Sequence, residues 1–163
     1  MFPEDIERLA QQIVASSKER GLMVSTAESC TGGLVAAAIT SIAGSSLALD
    51  RGFVTYSNAA KTAMLGVPQT VLETHGAVSA PTAAAMAIGA LERSAARASV
   101  SVTGVAGPGG GSRDKPVGLV HFAAVGPTGL LEHVERFGPL DRDTIRLASV
   151  RTALRLLADR ISE

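Results

Sequence analysis

Three segments of the chain concentrate side chains able to do chemistry. The first, Thr26-Ala27-Glu28-Ser29-Cys30-Thr31-Gly32-Gly33, sets hydroxyls, a thiol and a carboxylate just ahead of an apolar helical stretch. Unpaired N–H groups at a helix N-terminus hold an anion or a developing oxyanion, so a nucleophile placed there is poised for attack on a carbonyl carbon. The same residues also suit plain capping, with Ser29 or Thr31 as N-cap and the glycines permitting close packing. The second segment, Tyr56-Ser57-Asn58-Ala59-Ala60-Lys61, brings a tyrosine from a strand end and a lysine from the first turn of a helix toward one crevice. Lys61 is surrounded in sequence by Ala59, Ala60, Ala63 and Met64. Apolar surroundings disfavour the ammonium form, and a lysine base near neutrality needs a drop of about three units from ~10.4. The other reading is a solvated lysine near a helix start, with Tyr56 as an amphipathic residue at the rim of the core.

The third segment, Thr103-Gly104-Val105-Ala106-Gly107-Pro108-Gly109-Gly110-Gly111, lets backbone N–H groups approach a phosphate, carboxylate or sugar. It lacks the Gly-Lys-Ser/Thr of a phosphate-binding P-loop and the GxGxxG of a dinucleotide fingerprint. A flexible connector is the alternative. Positive charge for an anionic ligand comes from the last helix. Arg142 and Arg146 fall on one flank of its apolar stripe, Arg151 and Arg155 on the other, and Arg146 sits nearest the apolar edge. Metal chemistry has no candidate ligand set. Cys30 is the only cysteine, and His75, His121 and His133 are far apart with no ligand spacing.

Positioning these segments requires strands that feed helices. Apolar residues at helical spacing predict helices over 4–18, 34–42, 80–96 and from the Asp141 cap to about 161, with a shorter one over 59–65. Strands are expected at 22–27, 49–56 and 98–105, and 118–125 with 130–137 reads as a hairpin around Gly126-Pro127-Thr128-Gly129. The connector 67–79 is expected to contain one helical turn. This alternation predicts an α/β fold: a three-layer α/β/α sandwich with a mixed, mostly parallel sheet. Ligands of such sheets bind beyond the carboxyl ends of the strands, where all three segments fall.

At 163 residues, with neither a repeat nor a linker, a single domain spanning 1–163 is expected. Fifteen Lys+Arg balance fifteen Asp+Glu, so no net charge draws the chain to nucleic acid or to a membrane surface. No apolar run approaches the ~20 residues of a membrane span, and no basic-then-apolar leader opens the chain. A soluble, cytoplasmic protein follows. Apolar residues make up 46% of the chain, but aromatics only 3%, while glycine reaches 17 residues, so backbones must pack closely through small side chains. The alanine-rich helix over 80–96 could face a second copy, which predicts a homo-oligomer.

Taken together, TAESCTGG, GFVTYSNAAK with its LGV continuation, GAVS, SVTGVAGPGGG and RDTIR resemble, in collinear order over about residues 5–160, the CinA C-terminal domain family in its stand-alone form. Characterised members of that family look like nicotinamide-nucleotide amidases, so the resemblance implies hydrolysis of the carboxamide of nicotinamide mononucleotide to nicotinate mononucleotide and ammonia. It implies a serine-lysine arrangement with an assisting tyrosine, matching Ser29, Lys61 and Tyr56, and no cofactor. On that reading the N–H groups around Cys30, Thr31 and Gly32 hold the oxyanion. Glu28 orients Ser29, meets the ribose hydroxyls or favours the helix dipole. Thr103, Gly104 and Gly107 belong to the nucleotide cleft, and Arg146, ahead of Arg142, takes the phosphate. Cys30 is a rival nucleophile or a small buried residue. The competing expectations are a non-catalytic nucleotide- or partner-binding module linked to competence, and phosphohydrolysis of a nucleotide sugar, for which no acidic metal cluster is present.

Overall fold

In the computed structural model, which describes residues 1–162, every strand lies in one five-stranded sheet of order β2-β1-β3-β4-β5. The strands are β1 (Val24–Glu28), β2 (Leu49–Val54), β3 (Ala98–Gly104), β4 (Leu119–Gly126) and β5 (Gly129–Arg136). β1 pairs parallel with β2 and β3, whereas β4 runs antiparallel to both its neighbours. Four strands therefore point one way and β4 alone runs against them. β1 is buried along its whole length, as a central strand covered on both faces must be.

Helices α1 (Glu4–Arg20), α2 (Leu34–Thr40) and α6 (Arg142–Ser162) cover one face. α1 buries Ile6, Ala10, Ile13 and Val14, starts with acidic residues and stops at Gly21 in the left-handed conformation. An Arg151–Asp5 ion pair ties it to α6. On the other face lie α3 (Asn58–Leu65), α4 (Gln69–His75) and α5 (Ala80–Glu92). The layers are those expected. α5 ends four residues earlier than the alanine pattern suggests, and the 67–79 connector carries the seven-residue α4 rather than a single turn.

The small side chains set the spacing of the α5 layer. Ser99 Oγ and Ser101 Oγ of β3 donate to the main-chain carbonyls of Ala87 and Ala83, each at 2.6 Å, across the helix–sheet interface. A strand hydroxyl reaches a helix carbonyl only when no bulky residue intervenes, and the α5 face here is alanine. On its far side α5 approaches α3 at Gly89, where a Cβ would sit 2.0 Å from the Leu65 carbonyl oxygen. The alanine and glycine content thus decides where α3 sits.

Candidate active site

Ser29 follows β1, Tyr56 follows β2 and Gly104 ends β3, so three parallel strands deliver residues to one end of the sheet. There they line a pocket of about 270 Å³, together with Cys30, Lys61, Thr103, Gly107 and Arg142. A larger groove of about 560 Å³ lies between α3 and α4, but its lining includes no serine, cysteine or lysine and no buried charge, and its Gln69 and Glu73 bond each other. The chemically capable side chains expected from the sequence gather in the smaller pocket.

Its floor is Lys61. The side chain is 0% exposed, and Nζ lies 3.1 Å from Ser29 Oγ, 2.8 Å from the Thr55 carbonyl oxygen and 3.3 Å from that of Tyr56. Local sequence explains the aim. Ser57 caps α3 by accepting from the Ala60 N–H, which fixes the first turn, and Lys61 follows with its stem under the strand end. Burial lowers the Lys61 pKa, only partly opposed by Cys30. In the neutral amine, two N–H bonds suffice for the two carbonyls and the lone pair faces Ser29, so the serine hydroxyl then donates to Nζ.

The α2 terminus is arranged differently from expectation. Neither Ser29 nor Thr31 is its N-cap; that position is Gly33. The buried Glu28 carboxylate accepts from the N–H groups of Gly33, Val35 and Ala36 at 2.9–3.0 Å, so the helix terminus is already occupied by an internal anion. Glu28 does not line the pocket. The Gly32 N–H is spent on the Ser29 carbonyl, which also removes it from the expected oxyanion donors. Among the described residues no main-chain carbonyl accepts from the N–H groups of Cys30 and Thr31. Cys30 is buried and burial pushes its thiol up to about 11, which makes it a small packing residue and a poor nucleophile at neutral pH.

The rim is built from Arg142, which donates to the Gly107 carbonyl at 2.7 Å and to the Tyr56 hydroxyl at 2.9 Å. Tyr56 is more than half exposed, so its phenol reaches Arg142 at the mouth while its carbonyl serves Lys61 below. Of the two arginines expected at the cleft, only Arg142 lines the pocket. Arg146 turns to the carbonyls of Cys30 and Thr31, at 3.2 and 3.3 Å, and braces the loop from outside the pocket. One helical turn separates the two residues, and only Arg142 reaches past the end of the loop.

The sequence model of the family described as CinA C-terminal domain matches residues 6–161. The chain belongs to this family. Over 158 residues it is 49% identical to a protein of Escherichia coli strain K12 named nicotinamide-nucleotide amidohydrolase PncC, covering 96% of this chain and 95% of that one. It is 48% identical over 157 residues to a CinA-like protein of Anaeromyxobacter dehalogenans strain 2CP-C, of which it spans only 38%. The crystal structure of competence/damage inducible protein CihA from Agrobacterium tumefaciens superposes with a TM-score of 0.97 at 58% identity, over 100% of this chain and 99% of that one.

In this CinA C-terminal domain, two pocket residues escaped the sequence reading. Ala77 and Val78 line the wall opposite Ser29's loop, held there because Thr103 Oγ1 donates to the Ala77 carbonyl at 2.7 Å. The GAVS motif was their only signal, and apolar residues announce no chemistry of their own. Gly104 is fixed by close approach, since a Cβ would lie 2.7–2.8 Å from Val120 and Leu119 of β4. Among the described residues no three His, Cys, Asp or Glu side chains cluster to hold a metal ion, and no helix is long and apolar enough to cross a membrane.

Proposed function

We propose that the chain is an amidohydrolase that converts nicotinamide mononucleotide to nicotinate mononucleotide and ammonia through a serine nucleophile activated by lysine. The observation that carries this reading is the 3.1 Å contact between Ser29 Oγ and Lys61 Nζ, with Lys61 fully buried and its pKa lowered. Neutral Lys61 takes the Ser29 proton as Oγ bonds to the carboxamide carbon, and the N–H groups of Cys30 and Thr31 receive the oxyanion. Collapse breaks the C–N bond, and the proton held by Lys61 passes to the leaving amine, which departs as ammonia. Water then attacks the acyl ester, gives its proton to Lys61, and nicotinate mononucleotide leaves as Ser29 recovers its hydroxyl proton from Lys61.

The pocket, at about 270 Å³, suits a pyridine carboxamide at the floor with ribose and phosphate toward the open mouth. Arg142 there takes the phosphate, with Tyr56 positioning its guanidinium, and Thr103, Gly104 and Gly107 shape the wall. Every step uses side chains and main-chain N–H groups, so the reaction is independent of metal. Incubation with nicotinamide mononucleotide in a coupled ammonia assay, with and without chelator, tests this. Turnover unaffected by chelator is expected, and tight binding without ammonia release would replace the amidase with a non-catalytic nucleotide-binding module.

A further inference from the structure

β5 is an edge strand, paired with β4 on one side and, among the described residues, with no other strand on the opposite side. It is mostly exposed, and Leu130 and Val134 are the large apolar side chains it leaves to solvent. The two-residue turn closes at the Gly126–Gly129 pair, so the alternating antiparallel bonds commit Leu131, His133 and Glu135 to β4. The N–H and C=O groups of Leu130, Glu132, Val134 and Arg136 then point outward. Such an edge is a template for another strand unless its charges repel the newcomer.

For a second copy of this chain the charges select one register. Two copies related by a two-fold axis normal to the sheet pair antiparallel and bring residues of one face together. Centred on Glu132 or on Glu135, carboxylate meets carboxylate. Centred on His133, no opposite charges meet. Centred on Val134, Glu132 of each copy meets Arg136 of the other, His133 meets Glu135 in both directions, and Val134 packs on its own copy. That register also uses the outward main-chain groups of Glu132, Val134 and Arg136.

We propose that β5 is a self-pairing edge through which two copies of the chain join antiparallel about Val134, merging their sheets into one. The inference is independent of the amidase reading, because no residue of the pocket lies on β5.

Sedimentation of the purified chain at about 50 μM tests it. The wild type is expected at twice the chain mass of 16.6 kDa. Glu132→Arg sets an arginine against each Arg136, and Arg136→Glu sets a carboxylate against each Glu132, so each variant alone is expected to sediment at half the wild-type mass. Mixed in equal amounts they regain the dimer, because every introduced charge then faces its opposite. Both positions are exposed, and circular dichroism checks that the variants fold. A monomeric wild type, dimeric single variants or a mixture that stays monomeric would each overturn the proposal.

Discussion

The floor and the rim of the pocket are built from the same short segment yet have opposite physical character. At the floor, the carbonyls of Thr55 and Tyr56 hold a lysine from which water is excluded. At the rim, the Tyr56 phenol meets an arginine open to solvent. Burial changes what a cation is for. An ammonium without water gives up its proton, which suits a base, whereas a guanidinium stays charged and suits anion recognition. One tyrosine spans both, main chain below and side chain above.

The sharpest way to break this division is at the floor. Ser29→Ala and Lys61→Met are each expected to lower kcat for ammonia release by about 10³-fold or more, since general-base catalysis alone contributes ~10²–10⁴. If Lys61 is the base, as proposed, wild-type kcat should rise with pH and level off below the ordinary lysine range, because its pKa is lowered. The same shift links to stability. The unfolded chain holds the lysine proton up to ~10.4, so between the folded and unfolded values stability rises with pH. Thermal melts across that range should show this component in the wild type and lose it in Lys61→Met.

At the rim the effect is smaller and falls on binding. Arg142→Ala is expected to raise KM for the mononucleotide roughly 10–100-fold with little change in kcat, by loss of a charge-assisted contact of about 1.5–3 kcal/mol. Equal losses in KM and kcat would place Arg142 in the chemistry and dissolve the distinction. Arg146→Ala should leave KM closer to wild type, since it braces the loop from behind.

Between the two effects in kind stands the packing that sets the floor. Gly89→Ala forces a methyl against the Leu65 carbonyl, and overpacking of this sort costs about 1–3 kcal/mol. A lower melting temperature together with a fall in kcat would show that α5 positions Lys61 through α3. Least of all should change at Cys30. Its thiol, pushed up to about 11, is expected to resist alkylation at neutral pH, and Cys30→Ala should keep activity within about three-fold. Rapid inactivation by iodoacetamide would mean that burial at this position is not maintained in solution.

How much was legible beforehand differs by residue. The α/β layers and all five strands were readable because apolar periodicity is local and strong over these lengths. Ser29 and Lys61 could be named from motif and flanking alanines, but their 3.1 Å contact depends on β1 and β2 being neighbours, which no local pattern states. The role of Glu28 stayed open for a related reason. A carboxylate before a helix serves a ligand or a backbone, and only its depth in the fold, against three waiting N–H groups, decides for the backbone. Arg142 and Arg146 share a helix flank, and a single turn of height separates the pocket mouth from the back of the loop.

By itself, then, the chain's sequence determined which residues are chemically capable, which elements carry them and how closely those elements must pack, since alanine and glycine content is a matter of composition. The tertiary structure alone decided which capable groups are spent internally and which remain to meet a ligand. The reason is desolvation and reach. Both depend on neighbours distant in sequence, and both change a side chain's role without changing its identity.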